Sequence, residues 1–173
     1  PVAGSTPVNP ALLPPPPSVE HILRTEKAYE LLRQRQLDAA EREFQALAGV
    51  STHPEVALMG REGLAEVALA RGNPQAALQA ANDIIATSPT RSAAYLIRGR
   101  ALAASGQVSE GGAALKQAAA AQTEADFAWQ KAQAHVAVGT LERAQNPQAA
   151  VQRYEQALKE DRRNDRVGGT TAV

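Results

Sequence analysis

The chain has 173 residues, which is enough for one domain or one array of repeats and too few for two large domains. Eighteen basic residues balance eighteen acidic ones and no cysteine is present, which argues against a nucleic-acid binder and excludes disulfides, thiolate zinc sites and cysteine nucleophiles. Alanine is the most frequent residue and aromatic residues make up only 3%, so the composition favours an all-α protein.

The N-terminal segment is rich in proline. Residues 1–17 hold seven of the eleven prolines, including the run from Pro14 to Pro17. Because proline lacks the backbone donor that helices and sheets need, such a run favours an extended conformation. We predict a disordered linker over 1–17, and the alternative is a proline-rich ligand for an aromatic groove.

Helical signals run from Ser18, a good N-cap residue, to about Asp161. Within this region the sequence Asn-Pro-Gln-Ala-Ala occurs twice, beginning at Asn73 and at Asn146. In both copies asparagine is expected to cap a helix and proline to take its first position. The duplication predicts internal repeats.

An alignment of the two copies extends to four units. A small residue recurs early in the second helix of each unit, at spacings of 37, 34 and 39 residues: Ala40, Ala77, Gly111 and Ala150. Five positions earlier each unit has a predicted turn: Arg35, Gly72, Gly106 and Gln145. The units span about 18–52, 53–89, 90–122 and 123–161, and residues 162–173 are predicted to form a flexible tail.

The small residues and their neighbours are predicted to pack the helices together. A small side chain lets two helices approach closely, and a larger residue one turn later fills the groove between them. The predicted packing residues are Ala40, Phe44, Ala77, Gly99, Gly111, Leu115, Ala150 and Tyr154.

This pattern resembles the tetratricopeptide repeat, a helix–turn–helix unit of about 34 residues. The third unit fits best, through Tyr95, Gly99, Leu102, Gly106, Gly111, Leu115 and Ala118. The first and fourth units lack the turn glycine. The resemblance implies a right-handed superhelical array of about four repeats and a non-catalytic scaffold for protein–protein interaction.

In this family the first helices of the repeats line a concave groove. The register of the resemblance implies a partner-binding groove formed by Thr25, Tyr29, Arg33, Glu62, Glu66, Leu96, Arg100, Trp129, His135 and Glu142. Tyr29, Glu62, Glu66 and Arg100 are expected to contact a partner rather than to pack internally. The clamp of chaperone-binding members needs lysine, asparagine and arginine at several of these positions. Binding of a chaperone tail is therefore rejected in favour of an extended or helical peptide that carries both charges.

No pattern in the sequence predicts catalysis, a metal or a cofactor. The three histidines are isolated from one another, and no phosphate-binding or dinucleotide-binding loop is present. Glu62 and Glu66 lie on one side of a predicted helix, and the wall of a polar groove is the favoured interpretation over paired acid–base groups. We therefore expect a protein that is not an enzyme and that takes another protein as its partner.

The biological setting is inferred from composition alone. The proline-rich segment favours a bacterial envelope assembly, in secretion, pilus formation or polysaccharide export, with a periplasmic location; the cytoplasm is the alternative. No apolar stretch is long enough to enter a membrane directly. Two other functions stay open: an oligomerisation module that self-associates through the C-terminal hairpin, and a regulatory domain of a larger enzyme or sensor.

Overall fold

The computed structural model describes residues 15–121 and 128–165, with the backbone alone at 128–129 and 161–165. These residues contain no strand and form eight helices: α1 (Val19–Arg33), α2 (Leu37–Ala48), α3 (Pro54–Ala70), α4 (Pro74–Thr87), α5 (Ser92–Ala104), α6 (Val108–Ala120), α7 (Ala128–Glu142) and α8 (Pro147–Asp165). The predicted all-α class and the helix–turn–helix repeats are confirmed.

Two predicted segments fall largely outside the described residues. They are the proline-rich linker, of which only 15–17 are described, and the tail, of which 166–173 are not. The helix α8 continues four residues beyond the predicted end of the repeat region at Asp161. The sequence from Lys159 to Asp165 carries charges of both signs, which predicts a solvated helical end, but Glu160 within it is buried.

The turns between paired helices share one backbone geometry in the first three repeats. Arg35, Gly72 and Gly106 have positive φ values of 62°, 77° and 82°. The residue after each of them donates its N–H to the carbonyl five positions earlier: Gln36 to Leu31, Asn73 to Ala68 and Gln107 to Leu102, each at 2.9 Å. The first repeat therefore makes the same turn with arginine, a residue for which this conformation costs roughly 1–2 kcal/mol.

The duplicated Asn-Pro sequence caps two helices, as predicted. The Asn73 side chain accepts a hydrogen bond from the N–H of Ala76, and the Asn146 side chain accepts one from the N–H of Ala149, both at 3.1 Å. Each bond satisfies one of the four free N–H groups at a helix start.

The described residues belong to two compact units, Pro1–Gly63 and Leu64–Val173. In the first, Phe44 of α2 is fully buried, and its ring meets the Tyr29 ring edge to face at a centroid distance of 4.9 Å. The start of α3 crosses α2 very closely at Gly60. A methyl group on Gly60 would lie 2.7 Å from both the Ala48 Cα and the Phe44 carbonyl oxygen.

The second unit has two hydrophobic clusters. One joins α3, α4 and α5 through Ala65, Ala77, Ala81, Ile97 and Ala101. The other joins α5, α6 and α7 through Tyr95, Leu96, Leu115, Ala118, Ala134 and Val138. Alanine provides four of the five residues of the first cluster, whereas the second combines two alanines with larger apolar side chains. The helices α5 and α6 cross closely at Gly99 and Gly111.

Candidate functional site

Six of the predicted groove residues are buried: Glu66 and His135 in the polar sites described below, and four others. Thr25 and Glu62 have no exposed surface, Tyr29 packs on Phe44, and Leu96 belongs to the cluster of α5, α6 and α7. The expectation that Tyr29 and Glu62 are free of internal packing is therefore corrected. The family resemblance predicts which positions of each helix face the groove. It does not predict how deeply those side chains are buried, because burial depends on how closely the helices rich in alanine and glycine approach one another.

The remaining groove residues differ in their surroundings. Arg33 is exposed and pairs with Glu30 of its own helix. Trp129 lies at a position where the structure describes the backbone alone. Glu66 and Arg100 form one pair, and His135 and Glu142 lie together at a cavity.

Glu66 and Arg100 form an ion pair between the first helices of two neighbouring repeats. The two residues are 34 positions apart and lie on α3 and α5. The Arg100 Nη1 donates to both carboxylate oxygens of Glu66, at 2.7 and 2.6 Å. The Glu66 side chain is 8% exposed, whereas the Arg100 side chain is 40% exposed. The ion pair is an internal contact of both side chains, and their contact with a partner stays a prediction.

A second polar site lies in the last hairpin. A cavity of about 500 Å³ is lined by residues of α7 and α8: His135, Glu142, Ala149, Gln152, Arg153 and Gln156. The family resemblance predicts His135 and Glu142 as groove residues. It does not predict the residues of α8, because the groove positions of the family lie on the first helix of each repeat. The polar residues spaced three and four apart in α8, namely Gln152, Arg153 and Gln156, are the sequence signal for this wall.

The polar groups of this cavity are only partly satisfied. His135 is 6% exposed, and within the described residues its Nδ1 has no hydrogen-bond partner. Glu142 lies between two cations, with Lys116 Nζ 3.5 Å from Oε1 and Arg153 Nε 3.7 Å from Oε2. Its Oε2 is buried and accepts no hydrogen bond from the described part of the chain.

Burial lowers the pKa of His135 below its ordinary value. The nearby Arg153 lowers this pKa further, and the charge of Glu160 opposes the shift. The imidazole is therefore neutral at neutral pH.

The lowered pKa predicts a loss of stability in mild acid. The unfolded chain takes up a proton at this histidine near its ordinary pKa of about 6.5, before the folded chain does. The stability that the neutral ring provides is thus complete above that pH and declines as the pH falls. Urea unfolding between about pH 7.5 and 5 should show a steeper decline for the native chain than for His135→Leu, with a difference in slope of at most about 1.4 kcal/mol per pH unit. Equal slopes would contradict the burial of a neutral imidazole.

Two features that other functions would need are not seen in the parts of the chain that the structure describes. No group of three or more histidine, aspartate or glutamate side chains is arranged to hold a metal ion. Nor does any described helix combine the length and the apolar character needed to cross a membrane.

The comparisons with known proteins agree with the repeated hairpins. The tetratricopeptide repeat family matches residues 25–92 and 63–128, which together make up more than half of the chain. Among solved structures, the chain is similar to one described as the MamA RS-1 ArsTM double mutant, with 18% sequence identity and a TM-score of 0.52 over 84% of this chain and 78% of that one. No curated protein sequence matches significantly. With two overlapping family matches on a chain of helical hairpins, this protein belongs to the tetratricopeptide repeat family.

Proposed function

We propose that this chain is a non-catalytic scaffold that binds an extended or helical segment of a partner protein, with Arg100 as an anchor of the bound segment. Repeats of this family suit protein–protein interaction, because stacked hairpins present a long continuous surface. The observation that carries the proposal is the Glu66–Arg100 pair. It orders a partly exposed arginine side chain on the first helix of a repeat.

The geometry of the pair favours recognition of an acceptor group on the partner. Both hydrogen bonds to Glu66 use the same nitrogen, Nη1, so the guanidinium retains N–H groups that point away from the carboxylate. A guanidinium that is already ordered loses less conformational entropy on binding. We infer that an acidic side chain of the partner segment contacts Arg100.

A photocrosslinking experiment would identify the segment. A photoreactive amino acid in place of Ala104, one helical turn after Arg100 and exposed, should crosslink to a partner peptide that mass spectrometry can sequence. The same group in place of Gln117, exposed on α6, is the matched control. Equal crosslinking at both positions would contradict a binding surface at Arg100.

The affinity of the identified segment then tests the anchor. The double variant Glu66→Gln/Arg100→Gln removes both charges and leaves neither one unpaired. We expect fluorescence anisotropy to give a Kd at least about tenfold higher for this variant, because a central arginine often provides much of the binding energy of an interface. Arg42→Ala, an exposed arginine on α2, should leave the Kd unchanged. Equal affinities of all three proteins would refute the role of Arg100.

A bacterial envelope assembly is the setting that we propose for this interaction. The support is the proline-rich segment that precedes the repeats, which suits a spacer between a folded domain and a larger assembly.

Self-association is a second candidate function, favoured by one specific observation. Val151 and Leu158 are 54% and 51% exposed and lie seven residues apart, on one face of α8. If this face joins two copies, light scattering should show a dimer or larger species, and Val151→Gln/Leu158→Gln should shift it toward the monomer. Val108→Gln, at an equally exposed valine of α6, is the control. A native chain that is monomeric at high concentration would exclude this candidate.

A further inference from the structure

The cavity of the last hairpin replaces apolar residues of the preceding repeat with polar ones. With the offset of 39 residues between these repeats, His135 corresponds to Leu96, Glu142 to Ala103 and Arg153 to Ala114. In the third repeat, Leu96 packs in the cluster that α7 shares with α5 and α6. The fourth repeat therefore has polar groups at positions where the third has apolar side chains.

Two polar atoms at this cavity need a hydrogen-bond partner. They are His135 Nδ1 and Glu142 Oε2, both buried and neither bonded within the described residues. A buried polar atom without a hydrogen bond costs roughly 1–3 kcal/mol. Since the two residues are seven positions apart on α7, their backbones lie about 10 Å apart along the helix axis. That distance corresponds to about three residues of an extended peptide.

The charges of the side chains that line the cavity balance. One cation, Arg153, is accompanied by one anion, Glu142. The imidazole of His135 adds no charge at neutral pH, because burial lowers its pKa. An ionic ligand would thus meet as much repulsion as attraction. A neutral ligand that can donate to Glu142 would meet no repulsion.

We propose that the α7–α8 cavity binds a neutral, amide-bearing stretch of a partner polypeptide, with one amide N–H donating to the Glu142 carboxylate and a second amide pairing with the His135 imidazole. An amide carries both an N–H and a C=O, so it can pair with either tautomer of the imidazole. The cavity volume of about 500 Å³ lies within the range of known ligand sites. This inference rests on the proposed scaffold function and names the chemistry of one stretch of the bound partner.

The test uses short peptides and the ring resonances of His135. The probes are three acetylated and amidated tripeptides: one of asparagine and glutamine, one of aspartate and glutamate, and one of lysine. Each is titrated into the full chain while the ring nitrogens of the histidines are followed by NMR, and His135→Gln assigns the signal. We expect the neutral peptide to shift the His135 signal with a Kd at least fivefold lower than that of either charged peptide. Tighter binding of the acidic or the basic peptide would overturn the proposal, and so would the absence of a shift with all three.

Two variants test the position of the bound amides. Glu142→Ala removes the hydrogen-bond acceptor and should raise the Kd of the neutral tripeptide at least fivefold. Ala149→Phe fills the cavity without removing a polar group and should abolish the shift, which keeps the proposal testable if Glu142→Ala fails to fold. Binding that persists in folded Ala149→Phe would refute the site. The variant Glu66→Gln/Arg100→Gln should bind the tripeptide normally, so failure at Arg100 and failure at this cavity are distinguishable.

Discussion

Gly60→Ala should lower the free energy of unfolding by about 2 kcal/mol or more. The new methyl group would lie against the backbone of α2, at 2.7 Å from the Ala48 Cα and from the Phe44 carbonyl oxygen, and closer still to the Ala48 nitrogen. Backbone atoms cannot move aside as a side chain can, so α3 has to separate from α2. Overpacking of this kind costs about 1–3 kcal/mol or more, and it outweighs the helix propensity of roughly 1 kcal/mol that alanine gains over glycine.

The control for this substitution is Gly49→Ala at the end of α2. There a methyl group would meet only carbonyl oxygens at 3.5 and 3.6 Å, which are ordinary contacts, and the backbone φ of −81° suits alanine. Denaturation by urea should show a clear loss for Gly60→Ala and almost none for Gly49→Ala. Similar stability of the two variants would mean that α2 and α3 are farther apart than the structure places them.

The repeated local signals could be read from the sequence because each depends on a few neighbouring residues. The side chains of Asn73 and Asn146 cap helices by accepting a hydrogen bond from the N–H of the residue three positions later. Gly72 and Gly106 adopt the left-handed backbone conformation that glycine favours. Arg35 takes the same conformation without glycine. The alignment of repeats finds it by position, whereas residue type alone would miss it.

Burial across neighbouring helices was harder to predict. Tyr29 and Glu62 occupy positions that face a groove in the family, yet both are buried here, since helices rich in alanine and glycine approach closely. The contact at Gly60 depends on the same close approach. Gly60 and Gly63 lie three residues apart on one side of α3, and both lie against α2.

Gly111→Leu should severely destabilise the second unit, with a loss of about 3 kcal/mol or more in the free energy of unfolding. Gly99 and Gly111 face each other where α5 crosses α6. A methyl group on Gly111 would lie 2.8 Å from the Gly99 carbonyl oxygen and 3.0 Å from the Ala103 nitrogen. A leucine adds three further carbons at a point where both neighbours are backbone, so the two helices cannot keep their crossing. For a chain of this size the melting temperature should fall by about 10 °C.

Gly112→Ala provides a matched control, because it lies next to Gly111 on the same helix. A methyl group there would meet only the Leu141 Cδ1, at 3.3 Å, and the end of a leucine side chain can move by the few tenths of an ångström required. Since alanine is a better helix former than glycine, this variant should melt at or slightly above the native temperature. An unchanged melting temperature for Gly111→Leu would show that the repeats are aligned in the wrong register. Equal losses at both positions would instead show that α6 tolerates no side chain on this part of its surface and that Leu141 cannot move aside.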